Sequence, residues 1–234
     1  KTGLDGFIAI HRGNTELPSF GATRFWHYDR PEEALNDALR LSKMMSYKAA
    51  LAGIPYGGAK GVIMNPNPDN NSISPQKKTD ILKAYVNQVN YFGGHFITGT
   101  DVGISQEELF LMAKQSPYMV GLHADPTKFT ALGLFAAIKI CLERVFGEGS
   151  INGHSFAIQG VGKIGSALAE LLYQDGAKLF VADINGKKLK LLKRKLPRIT
   201  VVNPSEIHKQ KVDCFCPCAL SRSLSKKTVP QLRC

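Results

Sequence analysis

Two periodicities run through the apolar positions of the N-terminal half. The short apolar run of residues 7–10 predicts a β-strand. A helix is predicted to begin near residues 29–32. Asp29 can accept hydrogen bonds from the free amides of a first turn, Pro31 fits an early helical position, and Glu32 has capping-box spacing. The stripe expected to face the core recurs every three or four residues and consists of Ala34, Leu35, Ala38, Leu41 and Met45.

Glycine and serine mark the elements that follow. Residues 53–61 are glycine-rich and lead into a short apolar run. Ser74 stands directly before a proline and predicts the start of a second helix. Residues 96–98 predict a strand, and the spacing of Ser105 and Glu108 is that of a capping box at the start of a third helix.

Strands and helices alternate regularly in the C-terminal half. This alternation predicts a parallel sheet and an α/β fold class. A boundary near Pro126 divides the chain into expected domains 1–125 and 126–234. The expected strands are 155–159, 178–182, 200–202 and 212–215, and the expected helices are 130–146, 163–175 and a basic helix between the second and third strands.

Composition and charge narrow the class of protein. The 234 residues are 44% hydrophobic and 21% charged, as in soluble globular proteins, and no apolar run is long enough to cross a membrane. The first residues carry no secretory-signal pattern. Part of the net charge of +11 lies in residues 187–195, a stretch that could bind nucleic acid or an anionic membrane. We favour a solvated helix face with Leu189 and Leu192 turned inward, so neither nucleic acid nor membrane is a predicted partner.

The cysteines bear on metal binding and on the compartment. Cys214, Cys216 and Cys218 alternate, whereas Cys141 and Cys234 stand alone. Such a run can bind zinc, but no second Cys or His pair has the spacing of a zinc site. We therefore favour buried strand positions, in which cysteine acts as a small hydrophobic residue, and predict no metal. Unpaired thiols suit the reducing cytoplasm.

A glycine motif predicts a dinucleotide site. Gly160, Gly162 and Gly165 form G-x-G-x-x-G between a predicted strand and a predicted helix, the context in which backbone amides bind a pyrophosphate. Asp183 ends the next strand, where a carboxylate accepts from ribose hydroxyls and repels a 2′-phosphate, which favours NAD over NADP. The neighbouring Lys187 weakens that preference. The alternative is a plain glycine turn with Asp183 as a strand-end cap.

Two lysines in the first half suggest chemistry. Lys48 and Lys60 flank an apolar, glycine-lined segment, and Asp101 follows a later predicted strand. Burial beside a second cation lowers the pKa of an ammonium toward neutrality and makes a usable base. One lysine could therefore hold an anionic substrate group while the other exchanges protons. The alternative is that both lysines reach solvent.

Taken together, these residues resemble the glutamate/leucine/phenylalanine/valine dehydrogenase family over essentially the whole chain. The resemblance implies an N-terminal α/β substrate-binding and oligomerisation domain followed by a Rossmann-type NAD-binding domain. The matching pieces are residues 21–24, 47–60 and 101–103, the glycine turn with Asp183, and residues 217–220.

The resemblance also implies a reaction and its residues. Lys48 would bind the substrate α-carboxylate. Lys60 would activate water and stabilise a carbinolamine, and Asp101 would shuttle protons. The side chains of Lys48, Lys60 and Asp101 are then expected to converge in one water-poor cleft. Gly57 and Gly58 would let backbone line the substrate site. The reaction is then loss of hydride from Cα to NAD, attack of water on the iminium, and release of ammonia and a 2-oxo acid.

Further cofactor contacts follow from the same resemblance. Thr130 would lie near the nicotinamide carboxamide. The expected contacts to the rest of the dinucleotide and to the nicotinamide ring are Lys163, Ile164, Ile184, Cys218, Ala219 and Leu220.

One position bears on the substrate. The glutamate-using branch has a lysine immediately before the first glycine of its Gly-Gly-x-Arg motif, but here Phe20 precedes Gly21. A ring cannot pair a side-chain carboxylate, so glutamate is disfavoured. Gly99 is expected to leave open space on the other wall. Leucine, valine, phenylalanine and tryptophan remain candidates.

The family sequence continues beyond the position of Cys234. It adds an Asn-Asn-Gln stretch near substrate and nicotinamide and a terminal helix, so we expect an incomplete dinucleotide domain here. The alternative function is a catalytically impaired NAD-binding or scaffold protein. Assembly into a homo-oligomer through the first domain is expected in either case.

Overall fold

A computed structural model describes residues 2–13, 16–69, 73–123, 125–220 and 224–234. The chain divides into two units, Lys1–Ala124 and Asp125–Cys234. Each unit has its own sheet and its own buried apolar cluster.

The sheet of the first unit is mixed. Its strands are β1 (Gly6–Ile10), β2 (Ser19–Phe20), β3 (Thr23–Trp26), β4 (Gly57–Met64) and β5 (Phe96–Ile97). Strand β4 is central: it pairs antiparallel with β1 along one side and parallel with β2 and then β3 along the other, while β5 pairs with β2. Its residues from Gly57 to Ile63 are all buried, which is typical of a strand covered on both faces.

Three helices pack on this sheet: α1 (Pro31–Leu51), α2 (Pro75–Tyr91) and α3 (Gln106–Ala113). Two predicted caps are confirmed, since Ser74 accepts from the Lys77 amide and Ser105 forms a reciprocal capping box with Glu108. The predicted cap of α1 is wrong. Pro31 already occupies a first-turn position, so the cap residue is Arg30, which makes no side-chain capping bond.

The buried face of α1 also differs from the prediction. Its buried residues are small and recur at helical spacing, whereas Leu35 is 38% exposed. The reason is close approach to β4: a Cβ atom placed on Gly58 would overlap the backbone nitrogen of Ser46. Only small side chains fit between a helix and a strand so near each other. The buried stripe is Ala34, Ala38, Ser42, Ser46 and Ala49.

The second unit is a parallel α/β layer structure. Its strands line up in the order β8-β7-β6-β9, all parallel. This confirms the predicted α/β class with a partial Rossmann-like domain. In chain order its elements are α4 (Pro126–Phe146), β6 (Ser155–Gln159), α5 (Lys163–Gln174), β7 (Lys178–Ala182), α6 (Gly186–Lys195), β8 (Thr200–Val201), a 3₁₀ helix (Ile207–Lys209), β9 (Cys214–Pro217) and a second 3₁₀ helix (Val229–Gln231).

The predicted orientation of the basic helix is confirmed. In α6, Leu192 is buried in the core of the second unit and Leu189 packs against that core. Cys216 is buried in the same core, and all five cysteines are free. In the part of the chain that the structure describes, none of the helices is both long and apolar enough to span a bilayer.

The close packing of α1 on β4 gives a stability prediction. Gly58→Ala should destabilise the first unit by about 1–3 kcal/mol, because the new methyl overlaps backbone that cannot move freely. The measurement is the free energy of unfolding in urea.

Gly133→Ala is the matched control. Gly133 lies within α4 with open space around the added Cβ, so this change should stabilise the helix by about 0.5–1 kcal/mol. Equal effects of the two substitutions would contradict the packing argument.

Candidate active site

Lys60 brings a charged group into the interior of the first unit. It lies in the middle of β4, where its backbone pairs with Ala9 of β1. Its side chain is only 6% exposed. An ammonium in such a place needs a charged or hydrogen-bonding partner.

Asp101 is that partner. It follows β5, and its Oδ2 lies 2.5 Å from the Lys60 Nζ. The carboxylate remains 22% exposed, so the pair has one buried member and one that reaches solvent. The prediction that Lys60 and Asp101 converge agrees with this geometry.

Arg24 of β3 is a third charged group, in contact with this pair. Its Nε donates to the same Oδ2 of Asp101 at 3.1 Å, and its Nη1 donates to Asp37 Oδ2 at 2.7 Å. Asp37 lies on α1, where it also accepts from the Tyr28 hydroxyl at 2.8 Å and from Arg40 at 2.6 Å. Alternating positive and negative groups thus run from β4 to α1.

Burial and the neighbouring charges shift the pKa values of both Lys60 and Asp101. Burial lowers the pKa of Lys60; the Asp101 charge opposes that shift and the nearby Arg24 charge adds to it. Burial acts to raise the pKa of Asp101, but the charges of Lys60 and Arg24 outweigh it and hold that pKa below its usual range. The site therefore contains an ammonium that releases its proton more easily than a free lysine, beside a carboxylate that stays ionised.

The second cation beside Lys60 is Arg24 and not Lys48. Sequence reasoning noted Arg24 only as part of a motif. One sequence feature could have indicated a role for Arg24. It lies in a β-strand after a glycine, between the buried residues Thr23 and Phe25. Its acidic partners lie 13 and 77 residues away, a separation that no local pattern encodes.

Lys48 differs from Lys60 in its burial. It occupies the last turn of α1 and is exposed. The buried residues of α1 that are nearest to Lys48 in sequence are Ser46 and Ala49. The helical rotation of about 100° per residue turns Lys48 away from both. The expectation that all three side chains share a water-poor cleft is wrong for Lys48.

The residues expected to shape the substrate pocket lie around β2 and β4. Phe20 is half-buried, and its ring centroid lies 6.0 Å from that of Tyr56, an aromatic neighbour that sequence reasoning missed. The expected open space beside Gly99 is wrong, because a Cβ there would lie 2.7 Å from the Val120 carbonyl oxygen.

The remaining pocket glycines also lie against backbone. A Cβ on Gly21 would overlap the Ala59 carbonyl, and one on Gly57 would overlap the Arg12 carbonyl. Together with Gly58, they allow chain segments to pack closely around the start of β4.

The glycine turn of the second unit has the local backbone geometry that its motif predicts. Gly160 has φ of +92°, which few residues other than glycine adopt. A Cβ on Gly162 would meet nothing within 4 Å, and one on Gly165 would overlap the Gly160 carbonyl. Lys163 and Ile164 then open α5. The turn is tight and open at its second glycine, and helix and strand are close at its third.

Asp183 ties this turn to the end of β7. Its Oδ2 accepts from the Val161 amide at 2.7 Å and its Oδ1 accepts from the Asn185 amide at 2.7 Å. The carboxylate is thus a strand-end cap, as the alternative interpretation required. Each carboxylate oxygen has a further lone pair, so capping does not prevent it from accepting a ribose hydroxyl. Ile184 beside it is 95% exposed.

The segment after β9 also lies near the glycine turn. A Cβ on Gly160 would lie 2.7 Å from the Ala219 Cα, and one on Gly165 would lie 3.1 Å from the Cys218 Cβ. Leu220 is exposed beside them. Thr130 is exposed on α4. Within the described ranges, no three or more His, Cys, Asp or Glu side chains are grouped so as to hold a metal ion.

Comparison with known protein families and sequences identifies proteins that are similar to this chain. Residues 1–118 match the family model described as Glu/Leu/Phe/Val dehydrogenase, dimerisation domain, and residues 121–189 match Glutamate/Leucine/Phenylalanine/Valine dehydrogenase. The chain is 41% identical over 233 residues to L-tryptophan dehydrogenase of Nostoc punctiforme, covering 98% of this chain and 64% of that protein.

Two further proteins are similar along the whole chain. Phenylalanine dehydrogenase of Bacillus thermotolerans is 37% identical over 243 residues, covering 99% of this chain and 62% of that one. The crystal structure of L-tryptophan dehydrogenase from Nostoc punctiforme is similar with a TM-score of 0.71 and 38% identity, covering 100% of this chain and 66% of that one. The chain spans less than two thirds of the length of these relatives.

The buried pair gives a pH-dependent stability prediction. Asp101→Asn should lower the free energy of unfolding by about 3 kcal/mol at neutral pH, because it leaves the Lys60 ammonium without its anion. The pKa of Asp101 is lower in the folded chain. The wild-type advantage is therefore full above the pKa of an unfolded aspartate and disappears as the pH falls through the folded value.

Urea unfolding of both proteins at a series of pH values measures this advantage. A difference that stays constant into strong acid would mean that Asp101 does not carry the charge that stabilises Lys60.

Proposed function

This chain belongs to the glutamate/leucine/phenylalanine/valine dehydrogenase family, and we propose that it catalyses the oxidative deamination of an apolar L-amino acid with NAD. The products are the 2-oxo acid and ammonia. The observation that carries this proposal is the buried Lys60–Asp101 pair, with 2.5 Å between Nζ and Oδ2. A buried amine with a lowered pKa beside an ionised carboxylate is suited to moving protons at one carbon centre.

The proton transfers follow from the two groups. NAD supplies the hydride acceptor when it is bound. Asp101 accepts a proton from the substrate amino group, which prepares the Cα–H bond for cleavage. After hydride loss, neutral Lys60 accepts a proton from the water that attacks the iminium carbon. Asp101 then returns its proton to the nitrogen. As the C–N bond breaks and ammonia leaves, the regenerated Asp101 carboxylate accepts the hydroxyl proton, which gives the 2-oxo acid.

The glycine turn would hold the cofactor. The open space at Gly162 leaves room for a pyrophosphate, and the amino-terminal end of α5 offers free amides to it. Asp183 would accept from the adenosine ribose and repel a 2′-phosphate, so we propose NAD in preference to NADP. The other proposed contacts to the dinucleotide are Lys163, Ile164 and Ile184, with Thr130, Cys218, Ala219 and Leu220 toward the nicotinamide.

The substrate would be held by its own charge and by apolar surface. The exposed ammonium of Lys48 is available to an α-carboxylate. Phe20, packed on Tyr56, offers a ring where a side-chain carboxylate would need a cation. Gly57 and Gly58 would line the same pocket with backbone. We therefore propose leucine, valine, phenylalanine or tryptophan as substrates and not glutamate.

We also propose a cytoplasmic homo-oligomer. Residues 1–118 match a dimerisation-domain model, which supports assembly through the first unit. The five free cysteines suit a reducing compartment.

Removal of Lys60 tests the reaction. Lys60→Ala should abolish NADH formation from leucine, valine, phenylalanine or tryptophan while leaving NADH binding intact, because the glycine turn does not involve this side chain. Absorbance at 340 nm measures turnover, and fluorescence titration measures NADH binding.

Lys83→Ala is the matched control, since it removes an exposed lysine from α2. It should leave turnover and binding unchanged. If the wild-type protein binds NADH but turns over none of these substrates, the alternative of an NAD-binding or scaffold protein is supported instead.

The role of Phe20 gives a substrate-specificity prediction. Phe20→Lys should raise kcat/KM for glutamate about fivefold, the factor that corresponds to one partly exposed ion pair worth about 1 kcal/mol. Phe20→Leu is the control that removes the ring without adding charge. An equal gain in both variants would show that space, and not charge, limits glutamate use.

A further inference from the structure

We propose that Arg24 is a positioning residue that fixes the Asp101 carboxylate against Lys60 and is itself held by Asp37 and Tyr28. This inference rests on the proposed function of Lys60 and Asp101. It adds Arg24, Asp37 and Tyr28 to the site. These residues would act through Asp101 and would not contact the reacting groups of the substrate.

The first argument is the shared acceptor. The Lys60 Nζ and the Arg24 Nε both contact Oδ2 of Asp101, at 2.5 and 3.1 Å. A carboxylate bound by one donor can rotate about its Cβ–Cγ bond. Two donors from different strands, β3 and β4, define one orientation, and this fixes the direction in which the carboxylate accepts a proton.

The second argument is that Arg24 is itself immobilised. Its side chain is 15% exposed, and its second contact is to Asp37, which is 13% exposed. The Tyr28 hydroxyl donates to the Asp37 oxygen that Arg24 also uses, and Arg40 binds the other oxygen. A planar guanidinium bound to two separate carboxylates cannot turn without losing one of them.

The third argument is electrostatic. The charged groups that act on Lys60 come from three neighbouring elements: Asp101 from the loop after β5, Arg24 from β3, and Asp37 from α1. Arg24 acts to lower the pKa of Lys60, whereas Asp37 acts to raise it. Removal of the Arg24 charge should therefore raise the pKa of Lys60, and removal of the Asp37 charge should lower it. A purely structural role of these residues would not produce shifts of opposite sign.

The experiment compares four test variants and one control variant with the wild-type protein. Arg24→Gln removes the positive charge and Asp37→Asn removes the negative one. Arg24→Lys keeps the charge but cannot contact both carboxylates with one compact ammonium. Tyr28→Phe removes only the hydroxyl that donates to Asp37 and is the variant least able to disturb folding. Glu33→Gln, at another acidic position of α1 whose carboxylate pairs with Arg30, is the matched control.

Two readouts are measured on each variant. The first is the titration of the Lys60 side chain by NMR of lysines labelled with ¹³C at Cε, with the signal assigned by its loss in Lys60→Gln. The second is kcat and KM for the best amino-acid substrate across pH.

The proposal predicts that Arg24→Gln raises the Lys60 titration point and that Asp37→Asn lowers it, because Arg24 acts to lower the pKa of Lys60 and Asp37 acts to raise it. Arg24→Lys should restore the titration point toward wild type but still lower kcat about tenfold or more with little change in KM, because orientation is lost while charge is kept. Tyr28→Phe should lower kcat by a smaller factor. Glu33→Gln should change neither readout.

Titration points that stay fixed, or that move in the same direction in Arg24→Gln and Asp37→Asn, would overturn the proposal. So would a kcat for Arg24→Lys equal to that of wild type. If no protein turns over any amino acid but the two opposite titration shifts appear, the control of Lys60 by Arg24 and Asp37 is supported and the proposed reaction is the part that fails.

Discussion

The ammonium of Lys60 in the middle of a buried strand is the constraint on which the rest of the first unit's site depends. A charge so enclosed is costly unless an anion and hydrogen bonds accompany it. Asp101 supplies the anion, but a lone carboxylate would hold the lysine fully charged. Burial and the Arg24 charge on the same oxygen oppose that effect, and Asp37 holds Arg24 in place. The network therefore keeps Lys60 bound in place and still able to release a proton.

Close backbone packing is what makes this burial achievable. Glycine at positions 58 and 61 and alanine at 59 surround Lys60 in β4, and α1 approaches that strand through a stripe of alanine and serine. The same helix carries Asp37 toward Arg24. A bulkier stripe would hold α1 farther from the sheet and separate Asp37 from its partner. The small residues of α1 and β4 therefore allow close packing and also bring Asp37 within reach of Arg24.

The features that were predicted correctly from sequence are those whose physical cause is local. The serine caps of α2 and α3 and the glycine turn depend on residues within a few positions of one another. The N-terminal cap of α1 is also local, but it was predicted wrongly because Pro31 lies in the first turn and the cap therefore falls on Arg30. Three other failures depend on contacts distant in sequence. The buried face of α1 is decided by β4, the surroundings of Gly99 by Val120, and the partners of Arg24 by residues up to 77 positions away. Lys60 and Asp101 were paired because of family resemblance, not because of any pattern between them.

The two carboxylates of the proposed chemistry also differ in how they are bound, and this difference suits their separate tasks. Asp101 faces two cations, which hold it ionised and compensate its charge. Asp183 is bound by two neutral backbone amides, which orient it without compensating its charge. A compensated carboxylate beside an amine can exchange protons without leaving an isolated charge behind. An uncompensated, oriented one accepts from neutral hydroxyls and repels a phosphate. In the proposed chemistry the same residue type would therefore serve proton transfer in one unit and cofactor selection in the other, because its donors are cations in the first and amides in the second.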